Sequence, residues 1–418
     1  MTDRLPTDPA LHAEQGRRLD LLTVGSGVWM LIGLFLDGWA HNEQRPDGFF
    51  TPWHLILYTG FAGAAAVTVR DAMLRSPQSA WRNRLRGGDR VALIGVGLFA
   101  VGAVGDLVWH ETIGVETNLT ALLSPTHLFL MIGGVLLLTT PFRRAWRDPQ
   151  SPTSLRAFVP ALVSLSLAIG VLIFFAAYAS PFGRTTVATF ESVSTHLHEF
   201  SQSSRPGFEQ LREMWALATI LFTTLIVVLP ALALIKRWSP PRGSMLALFV
   251  AIGVFQAAMS EFLRSPLSIA LLAAGAIAEV AVARRVDAWV FGAVVPAALW
   301  GSYMAIVAIV YDLRWSPELW AGSIVLSSAL GAIIAIVAMP WPTRDDRPMT
   351  DFEGPTTARS LAHDRFGSPS GALVDSERDG LMKPVVGRKL PVDGVESSGP
   401  ECSGDILATP SAIRGSAE

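Results

Sequence analysis

Apolar residues along this chain fall in long blocks that are separated by shorter polar segments. Each block spans about 18 to 25 residues, the length that an α-helix needs to cross about 30 Å of hydrocarbon. The pattern predicts about ten membrane-spanning helices, and we expect an all-α, polytopic transmembrane bundle. The predicted spans cover residues 19–40, 52–70, 90–110, 124–141, 156–180, 212–236, 243–263, 265–283, 288–310 and 316–340.

Composition agrees with a protein whose solvent is the lipid bilayer. Of the 418 residues, 50% are hydrophobic and only 16% are charged, whereas soluble domains carry about 25% charged residues. The net charge of -2 gives no bulk attraction to nucleic acid, so no nucleic-acid partner is expected. The single cysteine, Cys402, excludes a cluster of thiolate ligands.

Basic residues predict how the helices are oriented. Lys and Arg are concentrated before the first predicted helix and in every second loop after it, and such loops remain on the cytoplasmic side. We therefore predict a multi-pass protein of the cell membrane with both termini in the cytoplasm. Residues 1–18 would form the cytoplasmic N-terminal segment. Residues 342–418 are rich in Pro, Gly, Ser, Asp and Arg without apolar periodicity, which predicts a disordered cytoplasmic tail.

One polar pattern occurs twice among the first four predicted helices. An Asp is followed four residues later by a His at the end of one helix, and the next helix begins with Thr or Ser, then Pro, any residue, His and Leu. The repetition predicts two equivalent helix hairpins in a four-helix metal-binding part at residues 19–141, followed by six further transmembrane helices within residues 142–341. The repeated residues are Asp37, His41 and His54 in the first copy and Asp106, His110 and His127 in the second.

The spacing brings each set of three residues to one membrane depth. Asp and His at positions i and i+4 share a helix face. Thr51 and Ser124 are predicted N-caps, each followed by a proline, so His54 and His127 fall in the first turn of their helices. The positive end of the helix dipole there disfavours imidazolium and keeps both histidines neutral.

This donor set is typical of a metal site. An aspartate inside a membrane is costly without a cation or a hydrogen-bonding partner, and a divalent metal would supply the charge. Two imidazoles and one carboxylate suit Cu(II), and iron or zinc equally, while leaving open coordination positions. We therefore predict two metal sites near the non-cytoplasmic face. The alternative is a structural cluster of interfacial polar residues satisfied by water and loop backbone.

The motifs resemble those of a known family. DGWAH followed by TPWH, with 12 residues between His41 and His54, is similar to the copper-site signature in the C subunit of the particulate methane and ammonia monooxygenases. Asp106, His110 and His127 resemble the neighbouring copper site of that subunit, where the family has Asn in place of Asp. The resemblance covers residues 19–141. It implies copper as the metal, these six residues as its ligands, and association with further membrane subunits.

Three functions remain open at this level. The first is a copper-dependent oxygenase subunit that acts on a small apolar substrate, with other membrane subunits or as a homo-oligomer. The second is a non-catalytic protein for copper handling. The third is a multi-span metal-dependent hydrolase, for which Glu111 is the candidate general base. Helices 7 to 10 and the tail have no evident counterpart in the family, so copper binding would carry over without the family's substrate.

Overall fold

The structure is a computed structural model that describes residues 9–43, 45, 50–75, 90–114, 122–148, 150, 152–183, 188–189 and 208–338. The predicted tail at residues 342–418 and the first eight residues of the N-terminal segment lie outside the described residues.

An α-helix occupies each of the ten predicted apolar blocks, so the all-α helical prediction is confirmed. The first helix begins at Pro9, earlier than its apolar block, and the fourth block is divided at Thr139 into a long helix and a short one. In chain order the described helices are α1 (Pro9–Asn42), α2 (Pro52–Arg75), α3 (Arg90–Thr112), α4 (Pro125–Leu138), α5 (Thr140–Arg147), α6 (Leu155–Phe175), α7 (Phe208–Arg237), α8 (Ser244–Met259), α9 (Ser265–Ala283), α10 (Ala288–Val310) and α11 (Pro317–Ala338).

Eight helical segments in the described part of the chain are long and apolar enough to cross a membrane, counting α4 and α5 as one. The other two predicted spans fall short of this criterion for different reasons. With 16 residues, α8 is too short. The 24 residues of α2 are long enough, but this helix is not among those apolar enough to cross a membrane. The protein is therefore a multi-span membrane protein.

Small elements complete the fold outside the long helices. A single turn of 3₁₀ helix, Ala177–Ala179, follows α6. Two strands of two residues each, β1 (Ala188–Thr189) and β2 (Asp312–Leu313), pair antiparallel, with Ala188 opposite Leu313. This pairing connects the segment that follows α6 to the turn between α10 and α11.

Apolar side chains form two clusters that meet at α6. One lies among α1 to α4 and includes Met30, Phe99 and Leu130. The other lies among α6 to α11 and includes Leu248 and Trp300. Because α6 contributes buried side chains to both clusters, it joins the four-helix part to the rest of the bundle.

The two hairpins that carry the repeated motif have the same internal packing. A Cβ added at Gly33 would lie 2.3 Å from the backbone nitrogen of Leu57, and one at Gly102 would lie 2.9 Å from that of Leu130. Both glycines stand four residues before the motif Asp, and both leucines three residues after the second motif His. A second equivalent set, also in backbone contact, is Gly60 with Met30 and Gly133 with Phe99.

This close packing predicts opposite outcomes for two alanine substitutions on α1. Gly33→Ala is expected to lower the free energy of unfolding by about 1 to 3 kcal/mol, because the new methyl group must push α1 and α2 apart. Gly25→Ala meets nothing within 4 Å and is expected to be neutral or stabilising, since Ala favours the helix over Gly. Thermal unfolding in detergent measures both, and equal effects would contradict the close-packing account.

A buried ion cluster ties the other end of the first hairpin to α5. Nη1 of Arg144 donates to Oδ1 of Asp20 at 2.7 Å, and Nη2 donates to Oδ2 of Asp71. All three side chains are largely buried, and Asp71 is almost fully so. One guanidinium thus connects α1, α2 and α5.

Candidate metal centre

We call Asp37, His41 and His54 the first triad and Asp106, His110 and His127 the second triad. The three side chains of the second triad lie close together. Asp106 lies in the penultimate turn of α3, His110 one turn later, and His127 in the first turn of α4. Oδ1 of Asp106 is 3.0 Å from Nε2 of His127 and 3.5 Å from Nε2 of His110. One donor atom from each residue lies within 4.8 Å of the other two. The side chain of Asp106 is 2% exposed.

The surroundings of the buried Asp106 Oδ1 show whether these residues fit a metal ion. Asp106 Oδ1 makes no hydrogen bond to any described residue, although two imidazole nitrogens face it. Ligands bonded to one metal at about 2.0 to 2.1 Å lie about 2.9 to 3.4 Å apart for right-angled to tetrahedral geometry. The two separations at Asp106 are close to this range. A buried oxygen without a hydrogen bond, facing two nitrogens at these distances, fits a cation between them.

The hydroxyl residue that precedes each of the helices α2 and α4 contacts the ring of the histidine three residues later. Ser124 occupies the N-cap position of α4 as predicted, but its hydroxyl makes no capping bond to the backbone. Its Oγ lies instead 2.7 Å from Nδ1 of His127, and Thr51 Oγ1 lies 3.0 Å from Nδ1 of His54. When Nδ1–H donates to the hydroxyl, Nε2 keeps its lone pair and is the nitrogen directed at the carboxylate.

The first triad is less complete. Nε2 of His54 lies 3.3 Å from Oδ1 of Asp37, as in the second triad. Nδ1 of His41 lies 3.6 Å from the same oxygen but 3.0 Å from the carbonyl oxygen of Asp37. Because a carbonyl only accepts, this nitrogen carries a hydrogen and is not a ligand in this orientation. Within the described part of the chain, only the second triad gathers three donor atoms, and the first site stays a prediction.

The two triads are neighbours. The rings of His54 and His110 have their centroids 6.1 Å apart, with an angle of 68° between their planes. His54 is buried with 4% exposure, so the contact between the hairpins is shielded from solvent. The six predicted residues therefore lie in two adjoining polar groups, at the ends of α1 and α3 and the starts of α2 and α4.

Tyr58 belongs to this site and was not predicted. Its hydroxyl donates to Oδ2 of Asp106 at 3.0 Å, and its ring stacks on His54 with a centroid separation of 5.9 Å. A signal was available, because Tyr58 follows His54 by one helical turn and so shares its face. The repeat concealed it, since the equivalent position in the second hairpin is Met131.

Glu111 does not support a general base at the centre. It directly follows His110, and successive residues point about 100° apart around a helix. Its side chain is exposed, whereas that of His110 is 6% exposed. The hydrolase alternative therefore gains no support from the only base that the sequence suggested.

Comparisons with protein-family models, with curated proteins and with solved structures find no match to this chain. The interpretation of the site therefore depends on its own geometry and on the motifs.

Proposed function

We propose that this multi-span membrane protein binds copper at Asp106, His110 and His127 and acts as an oxygenase-type subunit at the membrane. The observation that supports it is the buried Oδ1 of Asp106, which faces two imidazole nitrogens at 3.0 and 3.5 Å and has no hydrogen bond of normal geometry among the described residues. The donor set suits copper, iron and zinc, and the resemblance of the motifs to the methane and ammonia monooxygenases favours copper.

Each residue of the centre has a definable task. Asp106 supplies the negative charge that balances a cation in a medium where an isolated charge is costly. Ser124 orients His127 through Nδ1, and burial of Asp106 and His110 excludes bulk water from one side. When bound, copper supplies one-electron chemistry with dioxygen.

Access to the centre is consistent with a small apolar substrate that arrives from the bilayer. His127 is 22% exposed, so the triad is open on its side while Asp106 is enclosed. Large apolar side chains on the same two helices, Val108 and Phe129, are exposed and would face lipid. We propose that the protein works with further membrane subunits or with a second copy of the chain; the resemblance of the motifs favours further subunits.

Metal analysis of the detergent-purified protein tests the proposal. We expect one copper ion at the second triad and, if the predicted first site also binds, about two per chain. The content should fall by about one in His110→Ala/His127→Ala, and by about one in His41→Ala/His54→Ala where the first site is occupied. His363→Ala, outside both hairpins, is the control and should keep the wild-type content. Unchanged copper content in His110→Ala/His127→Ala would contradict the proposed site.

Reaction with oxygen separates an oxygenase-type subunit from a protein for copper handling. The reduced, copper-loaded protein is expected to consume dioxygen, with a matching change in the copper spectrum, and His110→Ala/His127→Ala should not. Copper that is bound but inert to dioxygen, and readily passed to a soluble chelator, would favour copper handling instead.

A further inference from the structure

Helix α2 contributes to both triads through two residues one turn apart. His54 faces Asp37 in the first triad, and Tyr58 donates a hydrogen bond to Asp106 in the second. The hydrogen bond therefore crosses from one hairpin to the other. It lies beside the contact between the His54 and His110 rings, whose centroids are 6.1 Å apart.

The tyrosine ring is held on more than one side. It stacks on His54 at an angle of 30° and meets Phe99 edge to face, with centroids 6.4 Å apart. Phe99 is itself buried and stacks on Phe61. A ring fixed in this way directs its hydroxyl to one place, which is Oδ2 of Asp106.

The two oxygens of Asp106 consequently have different surroundings. Oδ2 accepts a hydrogen bond from the Tyr58 hydroxyl at 3.0 Å. Oδ1 faces Nε2 of His127 at 3.0 Å and Nε2 of His110 at 3.5 Å, with no hydrogen bond of normal geometry among the described residues. A hydrogen bond to one oxygen of a ligating carboxylate fixes its rotation and leaves the other oxygen for the cation. Met131, at the corresponding position of the second hairpin, carries no hydroxyl.

We propose that Tyr58 is a positioning residue for the second triad, which holds the Asp106 carboxylate so that Oδ1 alone is presented to a metal shared with His110 and His127. The inference rests on the proposed copper site and adds a residue that the repeated motif does not contain. It also makes the second site dependent on the first hairpin, since its carboxylate is oriented by α2.

Copper titration of Tyr58→Phe in a His41→Ala background tests this proposal. His41→Ala removes one of the three residues predicted for the first triad while His54 remains against Tyr58, so the second triad is the only complete set of three predicted ligands in this background. Tyr58→Phe keeps the ring and removes only the hydroxyl. We expect the dissociation constant for copper to rise about 10- to 100-fold. The electron paramagnetic resonance spectrum of the bound copper should also change, because the freed Oδ2 alters the carboxylate's coordination.

Tyr303→Phe in the same background is the matched control. Tyr303 is fully buried in the apolar cluster among α6 to α11, and its hydroxyl donates to the carbonyl oxygen of Pro181 at 2.7 Å. It should leave copper affinity and spectrum unchanged. Equal affinity and spectrum for the two variants would overturn the positioning role alone. A His41→Ala parent that binds no copper, while wild type also binds none, would overturn the proposed site and this inference with it.

Discussion

Asp106→Ala is expected to remove copper binding from the second triad, with a dissociation constant raised about 100-fold or more. Loss of one partner from a buried charged contact costs about 3 kcal/mol or more, and about 1.4 kcal/mol corresponds to a factor of ten. Asp106→Asn should weaken binding less, because the amide keeps an oxygen donor and the family that the motifs resemble has Asn at this position.

The same two variants separate binding from stability. In the metal-free protein the buried carboxylate is a charge without a cation, so the neutral amide of Asp106→Asn should raise the unfolding temperature even as copper affinity falls. Copper titration and thermal unfolding of the metal-free and copper-loaded forms measure both effects. If Asp106→Asn left copper affinity unchanged and destabilised the metal-free protein, Asp106 would be a structural residue.

Arg144→Met is expected to lower the free energy of unfolding by about 3 to 5 kcal/mol. The guanidinium contacts both Asp20 and Asp71, and its loss would remove the cation between two carboxylates that are largely buried. Because the cluster joins α1, α2 and α5, the first hairpin should separate from the rest of the four-helix part. Unfolding by heat or denaturant in detergent micelles measures the loss.

Two further variants test whether the ion cluster causes the loss of stability in Arg144→Met. Arg147→Met lies on the same helix at an exposed position, and a surface change of this kind should cost about 0.5 kcal/mol or less. Adding Asp20→Asn and Asp71→Asn to Arg144→Met removes the two charges as well and should restore most of the stability. A loss that is equal in the two arginine variants, or that the asparagines do not relieve, would show that the ion cluster is not what stabilises this end.

Local patterns sufficed for the helices and for the placement of most candidate ligands. Blocks of apolar residues alone predict the ten regions in which α1 to α11 lie, because a membrane span must hydrogen-bond its own backbone over a fixed length. They do not predict the break at Thr139 between α4 and α5 or the early start of α1 at Pro9. The i and i+4 spacing of Asp106 and His110 and the Ser-Pro start before His127 likewise fix their positions on the helices. These features depend on neighbours along the chain.

Features that depend on side-chain orientation or on contacts between hairpins were beyond the sequence. The rotamer of His41, which turns Nδ1 to the carbonyl oxygen of Asp37, follows from no spacing rule. The hydroxyl of Ser124 was expected at the helix backbone and lies at His127 instead, since both partners are near and only the folded geometry decides. Tyr58 meets Asp106 across 48 residues of chain, a contact that needs the packing of α2 beside α3.

Anomalous X-ray scattering at the copper absorption edge, from crystals of the copper-loaded protein, tests the central claim most directly. The account predicts a copper peak within about 2.2 Å of Asp106 Oδ1 and of Nε2 in both His110 and His127. The claim would be contradicted by a copper-loaded crystal in which these three side chains bond only to one another and the anomalous signal lies elsewhere.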